Sequence, residues 1–222
     1  MGIKVIITGT TGMVGEGVLM ECLSNPDVAG VLSVSRRAPG VRHPKLTELI
    51  MPDFSKAEKY SDQLKGFDAC FFCAGVSSIG MKEEEYYRAT YETTLSLARA
   101  LASVGNDMTF CYVSGQGTDS AEKGRLMWAR VKGKTENDLL RLPFKAVYNF
   151  RPGMMKPTAG QKRMKPLYKF VTPFYPIFHF LFPNSACTIS DLAKSMIQCA
   201  LKGYEKNTID VKDIKKLAAG EA

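Results

Sequence analysis

The stretch that decides the fold is Thr8-Gly9-Thr10-Thr11-Gly12-Met13-Val14-Gly15, between the β-branched run 4–8 and apolar residues at helical spacing over 13–23. Glycines at positions 9 and 12 permit a tight turn and a close approach of the backbone to a pyrophosphate, and Gly15 lets the helix pack against the strand. The free N–H groups and the positive end of the helix then face the phosphates. With a strand before it and a helix after it, the pattern predicts a phosphate-binding turn rather than a plain glycine-rich turn.

Apolar runs continue along the chain and alternate with helix-like stretches. Strands separated by helical segments predict βαβ units, a parallel sheet and right-handed crossovers. We therefore expect a Rossmann-type doubly wound α/β fold, with helices on both faces of the sheet and a nucleotide-binding core over residues 1–150. The further predicted strands are 31–34, 46–51, 69–73, 109–113 and 146–150, and the predicted helices after the first are 57–65, 83–104 and 125–141.

Length and composition are those of a globular chain with one domain or one enlarged domain. The 222 residues are 45% hydrophobic and 23% charged, which excludes disordered, collagen-like and coiled-coil proteins. The net charge is +8, and residues 151–190 hold six basic and no acidic residues. A local basic patch predicts a phosphate-bearing ligand or an anionic surface. Its members are Arg151, Lys156, Lys162, Arg163, Lys165 and Lys169.

Residues 151–190 also carry six of the eleven prolines and seven aromatic residues. They predict a small irregular substrate lobe rather than another βαβ unit. We interpret the lobe as a lid over a small-molecule substrate, with contact to a membrane surface or a protein partner as alternatives, whereas its Pro-broken pattern disfavours nucleic acid. Residues 190–222 are predicted to return to the core as a C-terminal helix beginning near Ser190. The polar tail after Lys212 is expected to fray.

Targeting and redox features are sparse. The N-terminus enters a strand without a secretory signal, and the longest apolar stretch, 167–183, is too interrupted to span a bilayer. The cysteines are dispersed, and the Cys70-x-x-Cys73 spacing lacks a second ligand pair, which favours buried thiols over a metal site. We expect a cytoplasmic protein with no transmembrane segment and no metal.

The choice of cofactor depends on the residues about twenty positions beyond Gly15. An NAD site usually places a carboxylate there to bind the ribose 2′-hydroxyl. This chain has Ser35-Arg36-Arg37 instead, and two guanidinium groups with a hydroxyl suit a 2′-phosphate. The sequence therefore favours NADP over NAD, with a solvated arginine pair as the alternative.

The glycine turn, the Ser35-Arg36-Arg37 stretch and four shorter motifs together resemble the sequence pattern of the short-chain dehydrogenase/reductase superfamily, and the resemblance covers nearly the whole chain. The chain is most similar to the extended and atypical branch of NAD-dependent epimerases and dehydratases, and within it to the Tat-interacting-protein-like oxidoreductases and their bacterial relatives. The four motifs follow successive strands and are Asp53-Phe54, Cys73-Ala74-Gly75, Val113-Ser114 and Arg151-Pro152-Gly153.

The resemblance implies a role for each motif. Asp53-Phe54 would lie beside the adenine, and Cys73-Ala74-Gly75 would form a small turn near the cofactor. Ser114 matches the catalytic serine, which would hydrogen-bond a substrate oxygen. Arg151-Pro152-Gly153 matches the turn beside the nicotinamide, and Lys132 matches the lysine that holds the nicotinamide ribose.

One position departs from the family pattern. The catalytic Tyr-x-x-x-Lys is replaced by Trp128-x-x-x-Lys132, with the i,i+4 spacing kept on one helix face. An indole N–H donates a hydrogen bond but does not titrate usefully, so Trp128 cannot be the acid or base. Trp128 is either a core residue of its helix or a wall of the nicotinamide pocket.

Three explanations of the missing tyrosine stay open. In the first, another residue is the acid, and the candidates are Tyr86, Tyr87 and Asp119. In the second, the protein has lost catalysis. In the third, the alignment of this helix with the family is shifted. The residues after Ser114 form either a ligand loop or an ordinary turn. A Ser-His-Asp hydrolase is disfavoured, because His43 and His179 lie near no motif and no G-x-S-x-G elbow occurs.

Two functions follow. The first is an NADP-dependent oxidoreductase or epimerase-like enzyme acting on a small carbonyl or alcohol, and the second is a non-catalytic NADP(H)-binding redox sensor or regulatory protein. By analogy with relatives, the helices near 83–104 and 125–141 could form a dimer face, so we expect a monomer or a homodimer.

Overall fold

The computed structural model describes residues 2–105, 107–163 and 182–221. The strands in this part of the chain are β1 (Ile3–Thr8), β2 (Val28–Ser35), β3 (Leu46–Ile50), β4 (Ala69–Phe72), β5 (Thr109–Val113), β6 (Ala146–Phe150), β7 (Met154–Lys156), β8 (Ala186–Thr188) and β9 (Thr208–Ile209). The α-helices are α1 (Met13–Ser24), α2 (Glu83–Tyr87), α3 (Thr93–Val104), α4 (Met127–Leu139), α5 (Ile189–Lys202) and α6 (Val211–Ala218).

The central sheet has seven strands in the order β3-β2-β1-β4-β5-β6-β9. Each neighbouring pair is parallel, and the register places Val5 beside Val31 on one side and Ala69 on the other. The order reverses at β1, where the chain leaves first toward β2 and later toward β4, so a crevice opens at the carboxyl ends of these strands. The doubly wound parallel sheet predicted from the sequence is confirmed.

Two hydrophobic cores lie on opposite faces of the sheet, because successive strand residues point to opposite sides. Ile7 and Phe71 belong to the core beneath α1, α5 and α6, whereas Ile6 and Phe72 belong to the core beneath α3. Since both faces of the strands are buried, the runs are apolar throughout rather than alternating with polar residues.

The helices depart from the sequence prediction in two places. The segment predicted as a helix over 57–65 is a kinked 3₁₀ helix, Phe54–Leu64, which begins where the Asp53 side chain accepts the Ser55 N–H. The helix predicted over 83–104 contains a turn of π-helix, Arg88–Glu92, between α2 and α3.

The C-terminal region also differs in detail. Helix α5 is capped by Thr188 rather than Ser190, because Thr188 and Asp191 form a reciprocal capping box. The tail after Lys212 is predicted to fray, and this is wrong, because most of it lies in α6, with Ile214 and Leu217 fully buried.

Strands β7 and β8, which the sequence did not reveal, form a separate parallel pair that frames the predicted lobe. The lobe between them falls largely outside the described residues. Of its basic residues the structure describes Arg151, Lys156, Lys162 and Arg163, and of its aromatic residues Phe182. The division into core, lobe and C-terminal segment stays a prediction.

Candidate functional site

A cleft of about 410 Å³ opens at the carboxyl ends of β1 to β4. This volume is within the range of small-molecule pockets, roughly 300–1,000 Å³. The cleft brings together four separate sequence motifs from the first half of the chain. Its lining residues are Gly9, Thr11, Gly12, Ser35, Arg36, Arg37, Pro52, Asp53, Phe54, Cys73, Ala74, Gly75, Val76, Ala89 and Thr93.

The glycines of the first turn are required by close backbone contacts. Gly9 has φ +69°, and a Cβ there would lie 2.7 Å from the amide nitrogen of Ala74. A Cβ on Gly15 would collide with the carbonyl of Gly9, so only glycine lets α1 start this close to β1. Gly12 caps α1 with no side-chain hydrogen bond to the first turn. The arrangement leaves a backbone cradle at a helix N-terminus, which suits a pyrophosphate.

Two buried hydroxyl groups fix the turn against neighbouring strands. Thr8 Oγ1 accepts hydrogen bonds from the amide nitrogens of Cys73 and Ala74, each at 3.1 Å. Thr10 and Ser33 hydroxyls form a hydrogen bond of 2.7 Å. The first turn and the turn after β4 are therefore held together as one wall of the cleft. Met13 and Val14, also predicted to contact the cofactor, form the first turn of α1 but do not line the cleft.

The arginine pair lies at the rim of the cleft. Ser35 is buried, and its hydroxyl donates to the carbonyl of Arg37 at 2.6 Å. Arg36 and Arg37 are exposed, and within the described part of the chain neither guanidinium forms an ion pair. Both guanidinium groups are thus available to an anion entering from solvent.

Asp53 and Phe54 occupy the next strand end. Asp53 Oδ1 accepts from the backbone N–H and the hydroxyl of Ser55, which holds the pKa of this carboxyl below its usual range. Phe54 is buried and packs edge-on against Phe72, with ring centroids 6.4 Å apart. Asp53 therefore presents a fixed negative charge to the cleft, and Phe54 an apolar floor.

Ser114 lies beyond the cleft, at the carboxyl end of β5. Its hydroxyl is 3.0 Å from that of Thr118, whose proton is donated to the carbonyl of Gly115 at 2.8 Å. Ser114 therefore donates to Thr118, and its own oxygen keeps lone pairs for an incoming donor. Its backbone N–H is also held, by the carbonyl of Phe150 at 2.8 Å.

Trp128 lies over the loop that follows Ser114. A Cβ on Gly117 would be 3.5 Å from Cη2 of the indole, and one on Gly115 would be 3.9 Å from Cζ3. The side chain is half-buried, so it packs on a loop at the end of the strand rather than inside the core. Trp128 is therefore not a core residue of its helix, and its role as a wall of the nicotinamide pocket stays a prediction.

Lys132 lies one helical turn beyond Trp128. Its Nζ is 3.3 Å from the carbonyl oxygen of Val113, 3.5 Å from the hydroxyl of Tyr112, and 5.1 Å from the centre of the Tyr112 ring. Burial lowers the pKa of Lys132 to about 8, and the carboxylate of Glu136 partly opposes this shift. Lys132 forms no ion pair within the described residues, because Glu136 is paired with Arg151.

The Arg151-Pro152-Gly153 turn contacts the same loop from β6. The Arg151 guanidinium donates to both carboxylate oxygens of Glu136 and to the hydroxyl of Ser120, so it is committed to a buried ion pair. The carbonyl of Pro152 accepts from the Gln116 N–H at 3.0 Å. A Cβ on Gly153 would meet the carbonyl of Ser185. The turn thus positions the loop after Ser114 through its backbone.

The three alternative proton donors are poorly suited to that role. Tyr86 is only 2% exposed, and burial raises its pKa. Tyr87 stacks on Tyr91 with ring centroids 4.6 Å apart. The Asp119 carboxylate accepts from the N–H groups of Ala121, Lys123 and Gly124, which lowers its pKa and keeps it ionised.

Sequence reasoning missed four residues that line the cleft. Pro52 and Val76 directly adjoin predicted motifs, and Ala89 and Thr93 face the cleft from the helix after the fourth strand. The i,i+4 spacing of Ala89 and Thr93 on one helix face is the signal that could have found them. Within the described residues, no cluster of three His, Cys, Asp or Glu side chains is placed to hold a metal ion.

A family model and several curated proteins match this chain in sequence. The model of the NAD dependent epimerase/dehydratase family matches residues 5–122, just over half of the chain. The mitochondrial protein fmp52-1 of Aspergillus terreus is 27% identical over 213 residues, which are 91% of this chain and 89% of that protein. The mitochondrial protein FMP52 of Meyerozyma guilliermondii is 26% identical over 153 residues, 68% of this chain and 65% of that protein.

Solved structures share the fold at low sequence identity. The Bordetella bronchiseptica enzyme WbmF in complex with NAD+ matches with a TM-score of 0.69 and 16% identity, over 98% of this chain and 77% of that one. A glucuronic acid dehydrogenase from Chromohalobacter salexigens matches with a TM-score of 0.69 and 14% identity, over 94% and 76%.

The expected cytoplasmic location is contradicted by these relatives, which are named as mitochondrial proteins. The expectation rested on a missing secretory signal and dispersed cysteines, and neither feature separates the cytoplasm from mitochondria. The structure describes all six cysteines as free, and none of the helices in the described ranges is long and apolar enough to cross a membrane.

Proposed function

The chain belongs to the NAD dependent epimerase/dehydratase family, and from this premise we propose that it binds NADP(H) and acts as an oxidoreductase or epimerase-like enzyme. The substrate is a small molecule that carries a carbonyl or an alcohol. The observation that carries the proposal is the convergence of the glycine turn, the arginine pair and the Cys73-Ala74-Gly75 turn in one cleft.

The residues of the cleft fit a dinucleotide along its length. Backbone N–H groups at the start of α1 suit the pyrophosphate, because the close contacts of Gly9 and Gly15 leave no room for a side chain above them. Asp53 and Phe54 suit the adenine, and Gly75 and Val76 line the same cleft. The family binds NAD(P), and WbmF is a relative in fold solved with NAD+.

The preference for NADP is supported by Arg36 and Arg37. Both guanidinium groups are exposed at the rim and lack ion-pair partners in the described ranges. Bidentate, charge-assisted hydrogen bonds to a phosphate are the interaction for which arginine is best suited. No carboxylate lies in the 35–37 stretch to take a ribose 2′-hydroxyl.

The protein supplies orientation and a proton, while a bound nicotinamide supplies hydride transfer. Ser114 keeps an acceptor oxygen for the hydroxyl of an alcohol substrate, and Trp128 excludes water above the loop. Lys132 is the proton donor in this proposal, because its Nζ lies 3.3 Å from the carbonyl of Val113, the residue before Ser114, and burial lowers the pKa of the ammonium to about 8. In the direction of reduction, a new O–H bond forms on the substrate as the N–H bond of Lys132 breaks, and solvent returns the proton.

A second candidate function is a non-catalytic NADP(H) sensor. It is favoured by Trp128 in the position of the family's tyrosine, and by the engagement of the Ser114 hydroxyl with Thr118. The same cleft serves both functions, so cofactor binding alone does not distinguish them.

Turnover distinguishes the two functions. Purified protein is assayed for NADPH oxidation against a panel of aldehydes, ketones and quinones, with Lys132→Arg as the matched variant that keeps a cation but holds its proton. The enzyme proposal expects turnover that Lys132→Arg lowers by about 100-fold or more, on the scale of general acid catalysis. Tight NADPH binding without turnover across the panel would favour the sensor over an oxidoreductase; a redox-neutral epimerase is detected instead by conversion of substrate without net NADPH oxidation.

A further inference from the structure

Residues 157–163, which we call the strap, run from β7 across the N-terminal end of α1. The Gln161 side chain anchors the strap by donating to the carbonyl of Met13 at 2.6 Å and accepting the Thr158 N–H at 2.6 Å. Its Oε1 would lie 2.9 Å from a Cβ on Gly17, so the missing side chain there lets the strap lie against the helix. The contact joins residues about 150 positions apart in the chain.

Glu16 provides the second anchor. The side chain is 8% exposed, and each carboxylate oxygen accepts one strap amide, that of Lys162 at 3.1 Å and that of Arg163 at 2.8 Å. Hydrogen bonds to an ionised acceptor are stronger than those between neutral groups. The buried carboxylate therefore fixes the backbone position of Arg163.

Arg163 extends this contact to the rim of the cleft. Its guanidinium Nη2 donates to the carbonyl of Pro39 at 2.6 Å, two positions beyond Arg37. At the other end of the same loop, Ser35 donates to the carbonyl of Arg37. The short loop that carries Arg36 and Arg37 is thus tied at one end by β2 and at the other by the strap.

We propose that Glu16 and Arg163 are positioning residues that set the preference for NADP(H) over NAD(H) by holding the Arg36–Arg37 loop ready for the 2′-phosphate. The inference rests on the proposed cofactor and assigns to the strap a role that the glycine and arginine motifs do not contain. The two residues act through the loop, so neither is required to touch the cofactor.

The physical reason is preorganisation. Ordering the backbone of a mobile loop on binding weakens affinity by roughly tenfold for each residue that is ordered. A loop that is already fixed does not have to be ordered on binding. The gain in affinity goes only to a ligand that binds the two guanidinium groups, which is the ligand with a 2′-phosphate. NAD(H) has a hydroxyl in place of the 2′-phosphate, so its affinity does not depend on the state of the loop.

The test compares dissociation constants for NADPH and NADH by calorimetry on the full chain. Arg163→Met and Glu16→Gln are each expected to weaken NADPH binding by about tenfold while changing NADH binding by less than about twofold. Arg163→Lys is expected to restore part of the NADPH affinity, because an ammonium can still donate to the carbonyl of Pro39.

Two matched controls isolate the contact. Lys162→Met removes an exposed cation next to Arg163, and Lys162 bonds Glu16 only through its backbone N–H. Glu21→Gln removes another carboxylate of α1, which accepts from the Ser190 hydroxyl and not from the strap. Both are expected to leave the NADPH to NADH ratio within about twofold of wild type.

Three results overturn the inference. Equal weakening of both cofactors would show a general structural effect of the substitutions. An effect of Lys162→Met as large as that of Arg163→Met would show that net charge, not the Pro39 contact, sets the preference. Wild-type protein that does not prefer NADPH would overturn the proposed cofactor itself, and that outcome is recognised before any variant is made.

Discussion

At the scale of the residue, single glycines and single charges determine the site. Gly15 is the clearest case, because a Cβ at this position would collide with the carbonyl of Gly9. The sequence predicted this role from the spacing of three glycines, and the structure supplies the contact behind it. The role of Lys132 could not be predicted in the same way, since its environment comes from Tyr112 and Val113 on a strand about twenty residues earlier.

Gly15→Ala is expected to destabilise the protein by about 2 kcal/mol, a typical effect of overpacking. It should also abolish NADPH binding, since the first turn and α1 are forced apart. Thermal unfolding and calorimetry check both effects. Gly30→Ala is the control, because its methyl group would meet only Lys4 Cγ, at 3.7 Å. Equal melting temperatures for the two variants would contradict the prediction.

Lys132→Met is expected to raise the melting temperature more at pH 7 than at pH 10. Burial lowers the pKa of Lys132 from 10.5 in the unfolded chain to about 8 in the folded one. Between these values the unfolded state binds more protons, so the contribution of Lys132 to stability rises with pH and opposes folding below pH 8. Thermal unfolding at the two pH values gives the measurement.

Lys134→Met is the control on the same helix, and its effect has the opposite sign. The Asp138 carboxylate raises the pKa of Lys134, so this lysine stabilises the fold at neutral pH and loses that contribution as pH rises through the folded pKa. Its replacement should lower the melting temperature at pH 7. A pH-independent effect of Lys132→Met would show that the ammonium is not desolvated.

At the scale of the element, β6 and α4 are joined by the ion pair between Arg151 and Glu136. Side-chain exposures are 19% and 2%, so both charges are largely removed from water. The pair also reaches Ser120, in the loop that leads from Ser114 to α4. The family motif predicted Arg151 beside the nicotinamide, but its partner Glu136 carries no sequence signal because the pairing is tertiary.

Arg151→Met is expected to destabilise the protein by about 3–5 kcal/mol, since it leaves the Glu136 carboxylate buried without its partner. Chemical denaturation measures this difference. Arg141→Met is the control, because Arg141 pairs with Asp138 at 77% side-chain exposure, where removal changes stability by less than about 1 kcal/mol. A loss for Arg151→Met no larger than that of the control would contradict a buried pair.

The helices show where sequence patterns stop being informative. The periodicity over 83–104 predicted one helix, and the π-turn at Arg88–Glu92 was not visible, because an inserted residue leaves both flanking patterns helical. Residues 213–221 look polar, yet Ile214 and Leu217 on one face of α6 pack into the core. Two apolar residues three positions apart are too short a pattern to predict a helix with certainty from sequence.

At the scale of the whole molecule, the predicted branch of the short-chain dehydrogenase/reductase superfamily is confirmed by the matching family and by the neighbours in fold. The parallel sheet was predicted from the first glycine turn and the repeated βαβ pattern, whereas the strand order and the edge strand β9 come from the structure. The strap could not be predicted, because it depends on Glu16 meeting residues 162 and 163 across the fold. Such a contact leaves no local pattern in the sequence.

A calorimetric titration of the full chain with NADPH and NADH tests the proposed cofactor most directly. We expect NADPH to bind at least about tenfold more tightly than NADH, since each charged contact to a phosphate contributes roughly that factor. The Arg36→Met/Arg37→Met double variant should remove this difference while keeping NADH binding. Equal or tighter binding of NADH by the wild-type protein, or no binding of either cofactor, would contradict the central claim.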